Sequence, residues 1–155
     1  MSARPRVLVL HAPGTNRDRE TALACQLAGG EPEIVHINQL LSGEFALEAF
    51  QLLVLPGGFS YGDDLGGGRL WASDLFHRLR DAFEAFIAAG KPVLGICNGF
   101  QALVKAGFLP GNASGCQVTL TSDESDKYIA AVVRQSPDRA VCPFSGSATL
   151  PDVLK

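Results

Sequence analysis

The chain has 155 residues, 46% of them hydrophobic and 19% charged, with a net charge of -3; this suits one ordinary globular domain with a single core. The mildly acidic balance gives no support to nucleic acid or an anionic membrane as partner, and no apolar run nears the roughly 20 residues that span a bilayer. The first residues, Met1-Ser2-Ala3-Arg4-Pro5-Arg6, lack the long apolar core and cleavage site of a signal peptide, so a cytoplasmic protein is expected. Cys25, Cys97, Cys116 and Cys142 form no C-x-x-C pair; no metal site is expected, and a reducing compartment would keep the thiols free.

In chain order the pattern alternates strand and helix. Val7-Leu8-Val9-Leu10 is an apolar run of strand length, suited to a parallel strand buried on both faces. A loop at 11–16 follows, and Asn16 or Asp18 is placed to cap a helix over 20–28, stopped by Gly29-Gly30. A second strand is expected over 33–37 and a short helical piece over 44–50. Leu52-Leu53-Val54-Leu55 reads as the third strand, ended by Pro56-Gly57-Gly58 and a glycine-rich loop from Phe59 to Gly68, read as mobile. Leu75, Leu79, Ala82, Phe83, Phe86 and Ile87 recur at helical spacing and predict one long amphipathic helix ended by Gly90. Pro92 to Cys97 is the fourth strand and 98–106 the next helix. Beyond Gly111 the cues weaken, with strands expected at 118–120 and 128–133. The rhythm predicts an α/β fold, an open, mostly parallel sheet with helices on both faces. In such sheets functional groups gather beyond the carboxyl ends of strands, where Cys97, Gly57-Gly58 and the 11–16 loop all fall.

Gly95-Ile96-Cys97-Asn98-Gly99 straddles a strand end and a helix start. A sharp turn there, with small residues at 95 and 99 making room, is the pattern of a nucleophile elbow. The positive end of the following helix favours a thiolate, the form that attacks carbonyl carbon. A buried structural cysteine at the end of a core strand is the other reading; the paired glycines and the strand-to-helix switch favour a reactive one. Acyl transfer also needs donors for the oxyanion. The backbone N–H of Asn98 and the Gly57-Gly58 turn are the candidates. The 59–68 loop is no phosphate loop, because no Gly-Lys-Ser/Thr follows. For a general base the sequence offers His11 at the end of the first strand, His36 inside the second as a packing residue, and His77 on a solvated helix face; none is a convincing partner.

At these residues the chain resembles the class I glutamine amidotransferases, and within them the glutaminase subunits of phosphoribosylformylglycinamidine synthase. The motifs that carry the resemblance are Pro13-Gly14-Thr15-Asn16 with Asp18 and Glu20, Leu55-Pro56-Gly57-Gly58-Phe59-Ser60-Tyr61-Gly62-Asp63, Gly95-Ile96-Cys97-Asn98-Gly99-Phe100-Gln101, and Gly107-Phe108-Leu109-Pro110-Gly111. They cover residues 6–111 well and 112–155 weakly, within a single domain over 1–155. The resemblance implies a flavodoxin-like fold in which Cys97 attacks the side-chain amide of glutamine. Gly57, Gly58 and Asn98 would form the oxyanion hole, with Phe59 and Gln101 near the substrate. It also implies partners: a large synthetase subunit, which uses ATP and magnesium and receives the ammonia, and a small bridging subunit. No cofactor is expected in this chain. The family places a histidine and a glutamate close together near its C-terminus, and no His-x-Glu occurs in this sequence. The expectation is therefore a member truncated in its C-terminal part, with little or no glutaminase activity alone; a non-catalytic module that docks on the synthetase or binds glutamine without turnover is the alternative.

Overall fold

The computed structural model describes residues 4–110, together with Val118 and Leu120. Compactness divides the chain into Met1–Thr121 and Ser122–Lys155, and the described residues belong to the first unit. The strand expected over 128–133 lies outside them, and 118–120 is described only at its two ends, neither of them in a strand.

Four strands, β1 (Arg6–His11), β2 (Glu31–His36), β3 (Leu52–Leu55) and β4 (Val93–Gly95), form one parallel sheet in the order β2-β1-β3-β4. Between them run α1 (Asp18–Leu27), α2 (Ile37–Leu41), α3 (Arg69–Arg78) and α4 (Arg80–Ala88), and α5 (Asn98–Lys105) follows β4. The expected α/β architecture is present, with helices on both faces. Leu8 and Leu10 of β1 and Leu53 and Leu55 of β3 join Trp71, Leu75, Phe83, Phe86 and Leu103 in the main core. The intervening Val7, Val9 and Val54 point the other way and form a smaller cluster with Ala22 and Cys25 of α1. This is the two-residue period of a strand expressed as two separate cores.

Four details differ from the sequence reading. The long helix is two, because Leu79 (φ -121°, ψ 4°) leaves helical geometry between α3 and α4. Leu75, Leu79, Phe83 and Phe86 are all buried in the one core nonetheless, so the apolar stripe continues across the break and hides it. Neither Asn16 nor Asp18 caps α1: Arg17 holds that position without a side-chain bond, and Asp18 turns instead to His11. The piece expected over 44–50 is only a single 3₁₀ turn, Leu47–Ala49. The regular helix of that connection comes earlier, as α2, where His36 and Gln39 form a capping box. The fourth strand stops at Gly95, two residues short of Cys97, because the chain has already begun to bend.

Candidate active site

The bend after β4 is built around Cys97, which adopts φ 50° and ψ -110° and stands at the N-cap of α5. A positive φ is unusual for a residue with a side chain, and such conformations cost about 1–3 kcal/mol and persist where the surroundings over-determine them. They do so here. Ile96 N–H donates to Leu55 O at 3.0 Å before the bend, and Gly99 N–H and Gln101 N–H donate to Ile96 O and Cys97 O after it, at 2.9 and 3.0 Å. Gly99 lies so close to β3 that a Cβ there would come within 2.1 Å of Leu55 O, and one at Gly95 would meet Phe100 Cα at 2.8 Å. The two small residues thus let α5 start directly beneath its own strand. The Cys97 thiol is exposed, unlike a cysteine packed in a core.

The turn after β3 comes up beside it. A Cβ built on Gly57 would lie 3.3 Å from Cys97 Cβ, so Gly57 borders the thiol directly. Gly58 pairs with Thr15 in an isolated antiparallel bridge, and Arg17 N–H donates to Gly57 O at 3.3 Å, so the loop after β1 buttresses that turn. Among the described residues the N–H groups of Gly57, Gly58 and Asn98 donate to no acceptor. For Asn98 this follows from its place, since the first amides of a helix have no intrahelical partner.

The side chain of Asn98 is buried, 1% exposed. Its Oδ1 accepts from Ser60 N–H at 3.1 Å and Ser60 Oγ at 2.5 Å; its Nδ2 donates to Asp63 Oδ1 at 2.7 Å and Gln101 Oε1 at 3.2 Å. Gln101 therefore lies against Asn98 and beside Gly67, where a Cβ would come within 2.8 Å of its Oε1. Phe59 is tied through its backbone to Gly14 at 3.2 Å, while its ring stands 61% exposed. The glycine-rich segment read as mobile is fastened along its length. Tyr61 N–H donates to Pro13 O and Tyr61 OH to Asp74 Oδ2, both at 2.5 Å, Gly68 N–H donates to Asp63 Oδ1 at 3.2 Å, and Gly68 packs against the backbone of Asn98 and Ala102. Burial and the bond to Asp74 raise the Tyr61 phenol well above its ordinary pKa, which keeps it a donor.

The histidines are otherwise engaged. His11 Nδ1 lies 2.9 Å from Asp18 Oδ2. His36, half-buried as the last residue of β2, packs its ring against that of His11 and also caps α2: its Nδ1 accepts from Asn38 N–H at 3.1 Å, and its own N–H donates to Gln39 Oε1 at 2.9 Å. The two rings lie 5.4 Å apart, on the last residues of β1 and β2, and β3 separates β1 from β4, about 10 Å of sheet. His77 is on the exposed side of α3, as expected. Among the described residues no group of three His, Cys, Asp or Glu side chains could hold a metal ion, and no helix is long and apolar enough to cross a membrane.

The sequence profile of the CobB/CobQ-like glutamine amidotransferase domain matches residues 4–146. The chain belongs to that family. This amidotransferase domain is 51% identical over 142 residues to phosphoribosylformylglycinamidine synthase subunit PurQ of Treponema denticola, covering 92% of the chain and 53% of that relative. It is 48% identical over 124 residues to the PurQ subunit of Dehalococcoides mccartyi, covering 79% of the chain and 49% of the relative. A chain in the solved structure of PurLQS from Thermotoga maritima superposes with a TM-score of 0.60 at 36% identity, over 70% of this chain and 47% of that one. The amidotransferase domain thus spans about half the length of the curated relatives it matches.

Within the domain, the bonds from Asn98 to Ser60 and Asp63 are the part of the site that sequence reading missed. The partners are 38 and 35 positions apart, and no periodicity links them. The available signal was the density of polar residues in Phe59-Ser60-Tyr61-Gly62-Asp63 immediately after a strand, where loops carry function.

Proposed function

We propose that this domain is the glutamine-hydrolysing component of phosphoribosylformylglycinamidine synthase, with Cys97 as nucleophile. The observation that carries the reading is an exposed thiol on a bend with φ 50°, beside Gly57 and followed by Asn98, whose N–H groups, like that of Gly58, donate to no acceptor among the described residues. A thiolate there adds to the side-chain carbonyl carbon of glutamine. The C=O electron pair moves onto oxygen, and the three amides stabilise the oxyanion; one such donor typically contributes roughly 2.7–4 kcal/mol. On collapse the nitrogen takes up the proton that the thiol gave up, the C–N bond breaks, ammonia leaves and a thioester remains. Water then adds and glutamate departs, returning the thiol. Phe59 and Gln101 would contact the substrate.

The partners follow from the same reading: a large synthetase subunit that uses ATP and magnesium to consume the ammonia, and a small bridging subunit. The named assembly of the Thermotoga relative supports such a complex, and the cytoplasm is its natural setting. This chain itself would need no cofactor.

A second reading is favoured by one observation, the absence of any His-x-Glu in the sequence. A general base typically contributes about 10²–10⁴-fold. On that reading the chain binds glutamine or docks on the synthetase without turnover.

Two measurements test these readings. A chloroketone analogue of glutamine, which forms a carbon–sulfur bond and releases chloride, should label Cys97 saturably, and excess glutamine should slow it. Labelling at Cys25, Cys116 or Cys142 in its place would sink the assignment. Ammonia release from glutamine by the purified chain then separates the readings: turnover typical of intact amidotransferases eliminates the second, and labelling without turnover supports it.

A further inference from the structure

We propose that the carboxamide of Asn98 is the positioning residue of this site: it sets the Ser60–Asp63 loop in register with the Cys97 thiol and so decides which electrophiles reach it. This deepens the functional reading above and rests on it.

The case begins with valence. A carboxamide has two acceptor positions and two N–H donors, and Asn98 uses all four, toward Ser60 N–H, Ser60 Oγ, Asp63 Oδ1 and Gln101 Oε1. Asp63 Oδ1 in turn accepts from Gly68 N–H, so both ends of the loop converge on one buried side chain. Buried networks of this kind are stable when every member is paired and costly when one is not.

The loop needs such a clamp. Tyr61, Gly62, Asp63 and Leu65 all have positive φ, at 54°, 68°, 54° and 66°, and three of them carry side chains that disfavour it. A segment so strained keeps its shape only while its neighbours impose it. The clamp comes from the residue whose backbone N–H follows the thiol. The amide that faces the reacting oxygen and the loop that faces the rest of the substrate are thereby fixed to the same Cα.

The network also specifies asparagine. Aspartate has the same shape but would set a carboxylate against the Asp63 carboxylate with no donor between the two, leaving only the Gln101 carboxamide, turned over, to donate to it. Leucine would leave Ser60 N–H and Oγ unpaired in a buried place. Reversing the pair, Asn98→Asp with Asp63→Asn, restores a donor opposite an acceptor between 98 and 63 while giving up the oxygen that accepts from Gly68 N–H, and asparagine tolerates the left-handed backbone at 63.

The experiment compares two electrophiles at Cys97 in the full chain: the glutamine chloroketone, which must fit loop and thiol together, and iodoacetamide, which needs the thiol alone. In Asn98→Asp the ratio of chloroketone to iodoacetamide labelling rates should fall roughly tenfold to a hundredfold, mainly through a higher half-saturating concentration. Amide hydrogen exchange at Ser60 and Gly68 should accelerate about tenfold. Adding Asp63→Asn should recover the ratio and the protection of Ser60 but not that of Gly68, whose acceptor oxygen gives way to the amide nitrogen that faces residue 98. Ser60→Ala, which removes a single hydroxyl, should give a smaller fall in the same ratio and carries the test if Asn98→Asp does not fold. An unchanged ratio in folded variants, or a double variant no better than the single, overturns the proposal. If the unsubstituted chain shows no saturable chloroketone labelling, the functional reading itself falls and the proposal with it; normal labelling with unresponsive variants overturns the proposal alone.

Discussion

Alternate residues of the same strands meet different surroundings on the two sides of the sheet. Leu8, Leu10, Leu53 and Leu55 share a continuous core with Ile37 of α2, Trp71 of α3, Phe83 and Phe86 of α4 and Leu103 of α5. Among the described residues, α1 is the one helix that Val7, Val9 and Val54 meet. Beside α1 a groove of about 330 Å³ remains, bordered by Val7, Cys25, Leu52, Val54, Leu94 and Ile96. The crowded side is the one that carries α5, and with it the elbow: Gly99 presses on Leu55 O and Leu103 sits in the main core. Rigidity is thus concentrated where a strained cysteine has to be held, and the looser packing lies on the opposite side of the sheet.

That contrast can be broken most decisively at Leu53. Truncation to alanine should destabilise the domain by about 2–5 kcal/mol, because helices on that face prevent collapse of the cavity; urea unfolding measures it. Val54→Ala, one residue along and equally buried, should cost about 1–2 kcal/mol in the same assay, since fewer atoms leave and the space opens toward an existing groove. Equal losses at the two positions would mean that the faces are equally packed. The smallest effect concerns Cys25, whose thiol is pushed up from its ordinary pKa by burial. Because the thiolate is what alkylates, iodoacetamide labelling of Cys25 should rise at higher pH than for a free cysteine thiol. A midpoint at or below that of free cysteine would show the groove to be fully wet.

Much of the fold was legible from local pattern. The runs Val7-Leu8-Val9-Leu10 and Leu52-Leu53-Val54-Leu55 are apolar throughout, which suits strands buried on both faces, and both are strands. The order of strand and helix then placed Cys97, Gly57 and Gly58 on one edge before any coordinates. Periodicity reports which way side chains face, however, and not whether the backbone between them is continuous. Hence the stripe through Leu75, Leu79 and Phe83 concealed the break at Leu79. Capping was illegible for a chemical reason: histidine at 36 accepts through a ring nitrogen, outside the usual Ser, Thr, Asp and Asn. The Asn98 network was illegible because long-range polar pairing leaves no periodic trace in either partner segment. A glycine-rich composition suggested motion, whereas those glycines let the loop lie flat against α5.

The space beside Gly57 has a practical consequence. Its backbone is not left-handed, so a side chain there is conformationally permissible, in contrast to Gly58 at φ 145°. A methyl group at 57 would nonetheless sit 3.3 Å from Cys97 Cβ and 3.6 Å from Ile96 O. One carbon atom at that point is a wedge: the Cys97 side chain or the turn that carries residue 57 has to give by a few tenths of an ångström, so a permissible backbone conformation still leaves the position reserved for glycine.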